Sequence, residues 1–403
     1  MRRCSILLLA ALLAMACRSE PADEGPPPPA PAPPAAPLAP QPSQNAPAVA
    51  KVFPIRVDGR QFVDAAGKPF DWRGITSFQL AEMIAGGREA EAAAYLDWVK
   101  AQDLTVVRVL LMAQHLFELT PEAGRTALPK LLDLAQDRGV VVEVVALADT
   151  RDVAFDYEAH VREVGRIALE KGNALVELAN EPGHETQSDQ VHEATFLQKL
   201  AGLLPELVVV ALGSFEYGDG FANGDYATTH VPRGDEGWDH VYEVATRADR
   251  VAQLNKPVVS DEPIGAGPEY QAGRRDNDPA RFAAAAALTR LAGMEATFHY
   301  EGGLYSRIPT GPEAESLTAW KAGLALVGAP RHEGEFLQPD AVSRIAKIDS
   351  PGRAYARVAS DKATILIVNP GDSPSVRLQP EWKEASRKAI PGALRIDARR
   401  TRP

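Results

Sequence analysis

Short apolar runs rich in valine, isoleucine and leucine alternate with amphipathic segments along most of the chain. Most of the runs, such as VVVEVVAL and LVVVALG, are apolar at consecutive positions, so both faces of the predicted strands are expected to be buried. Strands of this kind, separated by helical segments, are typical of parallel βα units. The eight runs are FDWRGIT at 70–76, TVVRVLL at 105–111, VVVEVVAL at 140–147, ALVELAN at 174–180, LVVVALG at 207–213, YATTHV at 226–231, KPVVSDE at 256–262 and ATFHY at 296–300.

The segments between these runs, such as residues 88–103 and 128–139, place apolar side chains at helical spacing, and Gly139 and Gly172 predict helix ends. Eight βα units within about 250 residues predict a closed (β/α)8 TIM barrel of the α/β class. A doubly wound open sheet is the alternative architecture. The stretch SFEYGDGFANGD at 214–225 is too short and too rich in glycine for a full helix, so we expect an abbreviated fifth repeat.

The segments that flank the barrel pattern have a different character. Residues 53–70 read as a hairpin that could close the bottom of the barrel. Beyond the eighth helix, predicted at 312–326, alternating apolar positions and turn residues predict a small antiparallel β appendage. We therefore assign residues 51–334 to the barrel and residues 335–403 to a small β-rich C-terminal domain.

The N-terminus predicts export. Residues 1–17, MRRCSILLLAALLAMAC, combine a basic start, an apolar run and small residues before Cys17, which is the layout of a lipoprotein-type signal peptide. Cys17 would be lipid-modified, although a plain cleaved signal remains the alternative. Residues 18–50 are dense in proline and alanine and predict a disordered tether. We expect a protein anchored to a bacterial membrane through Cys17, on its periplasmic or cell-surface side.

Composition and charge limit the partners. The chain has 403 residues, 45% of them hydrophobic, which suffices for one large core. Its formal net charge of -11 argues against nucleic acid or an anionic membrane surface, so a neutral substrate fits best. We also expect a monomer. The two cysteines, Cys4 and Cys17, leave the globular part without a disulfide. The eight histidines are scattered, and we predict no metal site and no cofactor.

Acidic side chains stand where two of the predicted strands end. The functional face of a TIM barrel is the C-terminal end of its strands. Strand four ends in Asn180 and Glu181, and strand seven ends in Asp261 and Glu262. Strands three positions apart in an eight-membered ring face one another across the barrel mouth. Because the side chains of consecutive residues in a strand point to opposite faces of the sheet, we expect only one of Asp261 and Glu262 to point inward.

Other polar residues on the same face are candidate substrate contacts. Arg108 lies within the apolar second strand, and a buried arginine needs an acidic partner. His230 ends strand six, and His299 and Tyr300 end strand eight. A purely structural role is the alternative for each of these residues. The candidate sugar contacts from loops are Glu216, Tyr217, Trp238 and Tyr305.

The order of four motifs, WRGIT, VVRVLL, LANEPG and KPVVSDEPIG, resembles the cellulase-like retaining glycoside hydrolases, a TIM-barrel clan of the family 5 type. The resemblance covers about residues 53–328. In that clan the acid/base follows strand four, within an Asn-Glu-Pro signature that Asn180, Glu181 and Pro182 match. The nucleophile follows strand seven, where Glu262 ends a Lys-Pro-apolar strand. The resemblance thus implies that Glu181 is the acid/base, that Asn180 contacts the sugar 2-hydroxyl, and that Glu262 is the nucleophile.

The same resemblance implies roles for two further residues and shows two departures. Arg108 matches an arginine of strand two that steadies the nucleophile, and His230 matches a histidine of strand six. Many members place a tryptophan at the end of strand eight, where this chain has His299, Tyr300 and Glu301. Strand three ends in Ala148-Asp149, where a histidine is common. These differences indicate a divergent member.

Glycosidic cleavage gives a separate chemical argument for the two glutamates. The reaction needs a proton donor for the leaving oxygen and a carboxylate for the cation-like carbon, and a separation of about 5 to 5.5 Å leads to retention of configuration. We expect Glu181 to have the raised pKa, because Glu262, held ionised by Arg108, places a negative charge beside it.

The sequence therefore predicts an exported retaining glycoside hydrolase that acts on a β-linked oligo- or polysaccharide. A cell-surface barrel that binds carbohydrate and has lost catalysis is the alternative. A hydrolase of another bond type on the same barrel is a third possibility.

Overall fold

Eight parallel strands form the central sheet of the computed structural model, which describes residues 53–233, 237–267 and 275–401. The sheet runs in the order β5-β4-β3-β2-β1-β8-β7-β6, and a parallel bridge between Ser214 and Thr228 joins its two edges. The (β/α)8 prediction is confirmed. The strands are β1 (Arg73–Thr76), β2 (Val106–Leu110), β3 (Val141–Leu147), β4 (Ala174–Ala179), β5 (Val210–Ala211), β6 (Ala227–Thr229), β7 (Val258–Ser260) and β8 (Glu295–Phe298).

Helices connect successive strands and cover the outside of the barrel. In place of a fifth helix, the described chain between β5 and β6 has two 3-10 turns, Phe215–Tyr217 and Asp219–Ala222, so the abbreviated repeat is also confirmed. Further 3-10 turns occur at Val244–Arg247 and Glu301–Tyr305. The helices are α1 (Leu80–Ala85), α2 (Glu89–Ala101), α3 (Pro121–Gln136), α4 (Tyr157–Lys171), α5 (Ala194–Ala201), α6 (Trp238–Glu243), α7 (Ala248–Leu254), α8 (Pro279–Ala292), α9 (Pro312–Val327) and α10 (Pro339–Val342).

Local sequence signals set the bounds of several helices. The side chain of Thr120 accepts a hydrogen bond from a backbone N–H of the first turn of α3, and Asp156 does the same for α4. Asp278 caps α8 in the same way. Gly172 ends α4 in the left-handed conformation that glycine adopts without a steric penalty, as its position predicted.

The N-terminal hairpin, Arg56–Asp58 paired with Gln61–Val63, closes the lower end of the barrel. Phe62 lies with its ring centroid 5.0 Å from Trp72 and 5.5 Å from Tyr226. These rings pack with the first apolar residues of several strands. Burial of this aromatic cluster seals the end of the barrel opposite the strand C-termini.

A five-stranded antiparallel sheet follows the barrel, in the order β9-β11-β12-β15-β14, and β10 pairs with β13. Phe336, Tyr355 and Leu366 of this sheet share a hydrophobic cluster with residues of α8, so the sheet packs on the barrel's outer layer. The predicted β appendage is confirmed. Its strands are β9 (Glu335–Leu337), β10 (Ala346–Asp349), β11 (Arg353–Val358), β12 (Lys362–Val368), β13 (Ser375–Leu378), β14 (Trp382–Ile390) and β15 (Ala393–Arg400).

The predictions for the signal segment 1–17, for Cys17 and for the tether 18–50 fall outside the described residues. Across residues 53–233, 237–267 and 275–401, no helix is both long and apolar enough to cross a membrane.

Candidate active site

Glu181 and Glu262 meet at the C-terminal end of the barrel. Each lies two residues past the end of its strand, Glu181 after β4 and Glu262 after β7. A carboxylate oxygen of Glu181, one of Glu262 and a ring nitrogen of His230 all lie within 4.8 Å of one another. The two glutamates line a cavity of about 260 Å³, together with Asn180 and His299 among other residues. The two predicted catalytic carboxylates therefore face the same cavity.

The backbone at Glu181 is unusual, with a φ of +42° that side-chain-bearing residues rarely adopt. Gly183 keeps the following turn tight, because a Cβ atom there would lie 2.3 Å from the ring of Tyr217. The hydroxyl of Tyr217 donates a hydrogen bond to Oε1 of Glu181 at 3.2 Å. This turn therefore orients the Glu181 carboxylate against the loop that follows β5.

Arg108 is fully buried beneath the pair and holds several acceptors at once. Its Nη1 donates to Oε2 of Glu262 at 2.8 Å. Its Nη2 donates to Glu177 at 2.7 Å and to Oδ1 of Asn180 at 2.9 Å. The resemblance implied the contact with Glu262, and burial of an arginine within an apolar strand predicted an acidic partner.

Two buried acids of the barrel interior, Glu143 and Glu177, did not enter the sequence argument. The hydroxyl of Tyr226 donates to Glu143 at 2.9 Å, and the hydroxyl of Thr228 donates to Glu177 at 2.9 Å. Burial and the nearby Glu177 raise the pKa of Glu143 to about 8, so Glu143 is mostly protonated at neutral pH. A charged residue inside each of the strand runs VVVEVVAL and ALVELAN was the available signal.

Asp261 shows that the expectation of a single inward carboxylate after β7 was wrong. Oδ2 of Asp261 lies 3.2 Å from Nε of Arg108, and Glu262 also reaches this arginine. The strict alternation of side chains applies within a strand, and β7 ends at Ser260. Burial, and then the charge of Glu177, raise the pKa of Asp261 well above its usual range.

Arg233 is the most important residue that the sequence argument missed. Its Nη1 donates to Oε1 of Glu181, and its Nη2 donates to Oε1 of Glu262 at 2.6 Å. Its Nε also donates to the backbone carbonyl of Glu262 at 3.0 Å. The guanidinium therefore bridges the two catalytic candidates. Its place three residues after His230, in the loop that follows β6, was a signal that the sequence offered.

The bridging arginine determines the protonation of both glutamates. Burial alone would raise the pKa of Glu262, but the charge of Arg233 and the neighbouring His230 outweigh burial and lower it to about 2. Burial likewise favours the neutral form of Glu181, yet contact with His230 and the charge of Arg233 hold its pKa well below the usual range. The expected raised pKa of Glu181 is therefore wrong for this arrangement, because a cation lies between the two carboxylates.

Two of the predicted histidines belong to the site. The ring of His230 lies between two acids, with Nδ1 3.7 Å from Glu181 and Nε2 3.6 Å from Asp261. His299 lines the cavity, and its Nδ1 lies 2.9 Å from the hydroxyl of Thr76. Burial lowers the pKa of His299 to about 3, so this ring is neutral at physiological pH.

Tyr300 does not face the cavity, contrary to the prediction. Although β8 ends at Phe298, the backbone of Tyr300 stays extended, with φ of -159° and ψ of 158°, and forms a bridge with Ala266. Its side chain therefore points to the side opposite His299, where it is buried and stacks on Phe298. Its hydroxyl lies 2.9 Å from that of Tyr95 and donates to the backbone carbonyl of Arg307 at 2.5 Å. Tyr300 is a core residue.

Trp238 is also absent from the described lining of the catalytic cavity. It begins α6 and lines a separate cleft beside Asn369 and Pro370 of the C-terminal sheet. Of the other loop candidates, Tyr217 contacts Glu181 directly. Glu216 accepts a hydrogen bond from the backbone N–H of His230 at 3.0 Å, so it holds the backbone that carries His230. The guanidinium of Arg307 lies over the ring of Tyr305.

Two groups of side chains in the described part of the chain bring their ligand atoms close enough to share a cation. They are Glu177, His230 and Asp261, and Glu181, His230 and Glu262. In each group the carboxylates already contact a guanidinium, that of Arg108 in the first and that of Arg233 in the second. Because these arginines supply the neutralising charge, we assign no metal to either group.

Comparison of the sequence with protein-family models gives no match, and comparison with curated proteins gives none either. Among solved structures, the chain is similar to a family 5 glycoside hydrolase from Bacteroides vulgatus, with a TM-score of 0.57 and 12% identity, covering 87% of this chain and 94% of that chain. It is also similar to a β-glucanase from Saccharophagus degradans in complex with cellotetraose, with a TM-score of 0.50 and 12% identity, covering 70% of this chain and 100% of that chain. The chain therefore has the TIM-barrel fold of the cellulase-like family 5 glycoside hydrolases, as its motifs predicted.

Proposed function

We propose that the chain is a retaining glycoside hydrolase that cleaves O-glycosidic bonds in a β-linked oligo- or polysaccharide. The observation that carries this proposal is that one carboxylate oxygen of Glu181 and one of Glu262 lie within 4.8 Å of each other, just past the C-terminal ends of β4 and β7. An inverting enzyme needs about 6.5–9.5 Å between its carboxyl groups to admit a water molecule. The closer pair supports direct attack by one of them.

Glu262 is suited to the role of nucleophile. Two guanidinium groups, those of Arg108 and Arg233, fix its two oxygens at 2.8 and 2.6 Å. Against burial, the charges of Arg233, His230 and Arg108 lower the pKa of Glu262 to about 2, so it is ionised at neutral pH. In the first step an oxygen of Glu262 bonds to the anomeric carbon while the glycosidic C–O bond breaks.

Glu181 is assigned the acid/base role, which requires it to carry a proton when substrate is bound. In the first step that proton passes to the departing oxygen, and in the second Glu181 takes a proton from the attacking water as the bond to Glu262 breaks. Arg233 holds Glu181 ionised in the empty site. We therefore infer that a sugar entering between the carboxylates separates Arg233 from Glu181, which lets the pKa of Glu181 rise.

Asn180 and the neutral His299 complete the proposed sugar site. The amide oxygen of Asn180 is held by Arg108 at 2.9 Å, so its NH2 group is the part left to donate to a sugar hydroxyl. His299 offers an imidazole fixed by Thr76 at the cavity wall. We propose both as substrate contacts.

Two substitutions test the assignment on a panel of β-linked glycans and on activated aryl glycosides. Glu262→Gln removes the nucleophile's charge and should abolish turnover of every substrate. Glu181→Gln should lower turnover of natural glycans by about 10² to 10⁴ but spare aryl glycosides whose leaving group departs unaided. Equal losses on both kinds of substrate would contradict the assigned roles.

The same panel separates the enzyme from a carbohydrate-binding barrel without catalysis. Arg233 favours the binding protein without catalysis, because its guanidinium donates hydrogen bonds to both Glu181 and Glu262 in the empty site. A binding protein would retain a glycan and release no product. Hydrolysis of any panel member by the native chain, lost in Glu262→Gln, would exclude it.

We also propose that the chain is exported and anchored through a lipid on Cys17, and that it acts as a monomer. The basic and apolar residues 1–17 and the proline-rich tether 18–50 support export. Mass spectrometry of the mature protein from a bacterial membrane fraction should find a lipidated Cys17 as the new N-terminus. A mature chain that begins elsewhere and carries no lipid would contradict the anchor.

A further inference from the structure

A second large cleft lies between the C-terminal sheet and the end of the barrel that the hairpin closes. Its volume is about 600 Å³, and Gln61 of the hairpin forms part of its wall. This places it away from the strand C-termini, where Glu181 and Glu262 lie. We call it the basic cleft, after the five basic residues that line it: Arg331, Arg357, Lys362, Arg395 and Arg399.

The net charge of the basic cleft is opposite in sign to the net charge of the whole chain. Its five basic residues face two acidic ones, Glu333 and Asp397, which gives a formal charge of +3 when His332 is neutral. The complete chain has a net charge of -11. Asp397 accepts hydrogen bonds from Arg395 at 2.7 Å, from Thr364 at 3.0 Å and from Ser386 at 2.6 Å. Its charge is therefore neutralised locally, by Arg395.

Arg357 is the most buried cation of the cleft, with 6% of its surface exposed. Its guanidinium donates to the backbone carbonyls of Leu291 and Gly334 at 3.2 to 3.3 Å, and no described carboxylate forms an ion pair with it. Burial and the nearby Arg60 lower the pKa of Arg357 to about 10. The charge of Asp249 acts in the opposite direction but forms no ion pair with the guanidinium, so an anion that enters the cleft would stabilise this buried cation.

Arg331 also donates to a backbone carbonyl and forms no ion pair with a described carboxylate. Its Nη2 donates to the backbone carbonyl of Val327 at 3.0 Å, while its Nε is buried without a hydrogen-bond partner among the described residues. Burial, and then the charge of Arg395, lower the pKa of Arg331. Asp397 and Glu333 oppose this effect, and the basic side chains of the cleft lie close enough to act on one another.

Strand register supplies an independent observation. Arg399 of β15 lies directly opposite Lys362 of β12 on one side and opposite Lys383 of β14 on the other. Side chains of directly opposed residues share one face of the sheet, and like charges in such pairs are destabilising. Three neighbouring strands therefore present a row of three cations on one face of the sheet, of which Lys362 and Arg399 line the cleft.

We propose that the basic cleft binds an acidic oligosaccharide, whose carboxylate groups are held by Arg331 and Arg357 inside the cleft and by Lys362 and Arg399 at its rim. Guanidinium groups bind carboxylates in a bidentate manner, and charges spread from interior to rim fit an extended, repeatedly charged ligand better than a single ion. The choice of a saccharide rests on the proposed glycoside hydrolase function. The site would hold an acidic polymer at a surface remote from the cleavage site.

The test measures binding of oligogalacturonate by isothermal titration calorimetry, with the full mature chain carrying Glu262→Gln so that hydrolysis does not interfere. Inorganic phosphate and a neutral β-glucan oligosaccharide are the comparison ligands. We expect oligogalacturonate to bind more tightly than phosphate and to bind more weakly as NaCl is raised. The double variant Lys362→Glu/Arg399→Glu should weaken binding by about tenfold or more.

A matched control carries the same change of charge on the helical side of the barrel. Arg162→Glu/Lys199→Glu replaces two exposed cations that both lie near Glu158, and it should leave binding unchanged. Equal thermal stability of the two double variants would show that neither is unfolded. Both replaced residues of the cleft are exposed and lie in paired strands, so the fold should tolerate them.

Three results would overturn the proposal. Phosphate binding as tightly as oligogalacturonate would mark a simple anion site. Binding of the neutral glucan that is as tight as that of oligogalacturonate, and that Lys362→Glu/Arg399→Glu weakens equally, would exclude recognition by charge, whereas glucan binding that this variant leaves unchanged belongs to the cavity at Glu181 and Glu262. Absence of binding by any ligand at physiological salt would leave the cations a purely structural role. Because binding is measured without turnover, none of these results depends on whether the chain hydrolyses glycans, so this proposal and the proposed catalysis can fail separately.

Discussion

Removal of the Arg233 charge is the sharpest perturbation of the proposed catalytic pair. Arg233→Met keeps a long side chain but removes the guanidinium that donates to Glu181 and Glu262. A cation favours the ionised form of a carboxylate, so its removal must raise the pKa of Glu181 in the free enzyme. Glu262 keeps its hydrogen bond from Arg108 at 2.8 Å and should stay ionised at neutral pH.

The size of the shift follows from the contact that is lost. A hydrogen bond to a charged group contributes about 1.5–3 kcal/mol, and one pKa unit corresponds to about 1.4 kcal/mol. The side chain of Glu181 is only 16% exposed, so water screens this contact little. We therefore expect the pKa of Glu181 in the free enzyme to rise by about 1 to 2 units in Arg233→Met.

The assay is the pH dependence of turnover on a glycoside whose leaving group needs a proton. The alkaline limb of the kcat/KM profile reports the pKa of the general acid in the free enzyme. The alkaline limb of the kcat profile reports the pKa of the same group in the substrate complex. In Arg233→Met the limb of kcat/KM should move upward by about 1 to 2 units. The limb of kcat should move less, because substrate has already separated Arg233 from Glu181.

Arg247→Met is the matched control. Arg247 is 30% exposed, against 32% for Arg233, but it contacts Glu216 rather than either catalytic candidate. Its replacement should leave the alkaline limb in place. An unchanged limb in Arg233→Met, or an equal shift in both variants, would refute the reasoning that Arg233 sets the protonation of Glu181.

Further predictions concern stability. Arg108→Met leaves Glu177 and Glu262 buried without their shared cation, so urea denaturation should show a loss of about 3–5 kcal/mol in the free energy of unfolding. Glu143 has its pKa raised from 4.5 to about 8, so its contribution to stability is complete below pH 4.5 and is lost as the pH rises to about 8; Glu143→Gln should flatten that part of a Tm-against-pH curve. Tyr300→Phe removes hydrogen bonds outside the cavity, so the free energy of unfolding should fall by about 1 kcal/mol while kcat stays unchanged.

The sequence predicted the barrel because its signal is local and repeated. Eight runs of apolar residues each needed two buried faces, and the segments between them had helical spacing, so a closed layer of parallel strands was the arrangement that buried both. The same repetition located the strand ends, and with them Asn180, Glu181 and Glu262. The short fifth repeat was equally visible, because glycine-rich segments of twelve residues leave little room for a helix.

Strand alternation explains both a success and two errors at the strand ends. It holds for His299 and Tyr300 because the backbone stays extended past β8, where Tyr300 bridges Ala266. His299 therefore lines the cavity and Tyr300 packs in the core, a distinction that was not drawn from the sequence although the rule was available. The same rule was applied to Asp261 and Glu262, where it fails because β7 has already ended at Ser260. Where a strand ends depends on pairing with its neighbours, which the sequence of one segment does not reveal.

What the sequence determined by itself was the fold and the position of Glu181 and Glu262 at the strand ends, since both follow from patterns within short segments. What only the tertiary structure decided was the electrostatics. Arg233 reaches Glu181 and Glu262 from a different loop, and its position reverses the expected pKa shift of Glu181. The cationic row of Lys362, Arg399 and Lys383 likewise depends on strand register. Charges act through space, and the distances between residues far apart in sequence exist only once the chain has folded.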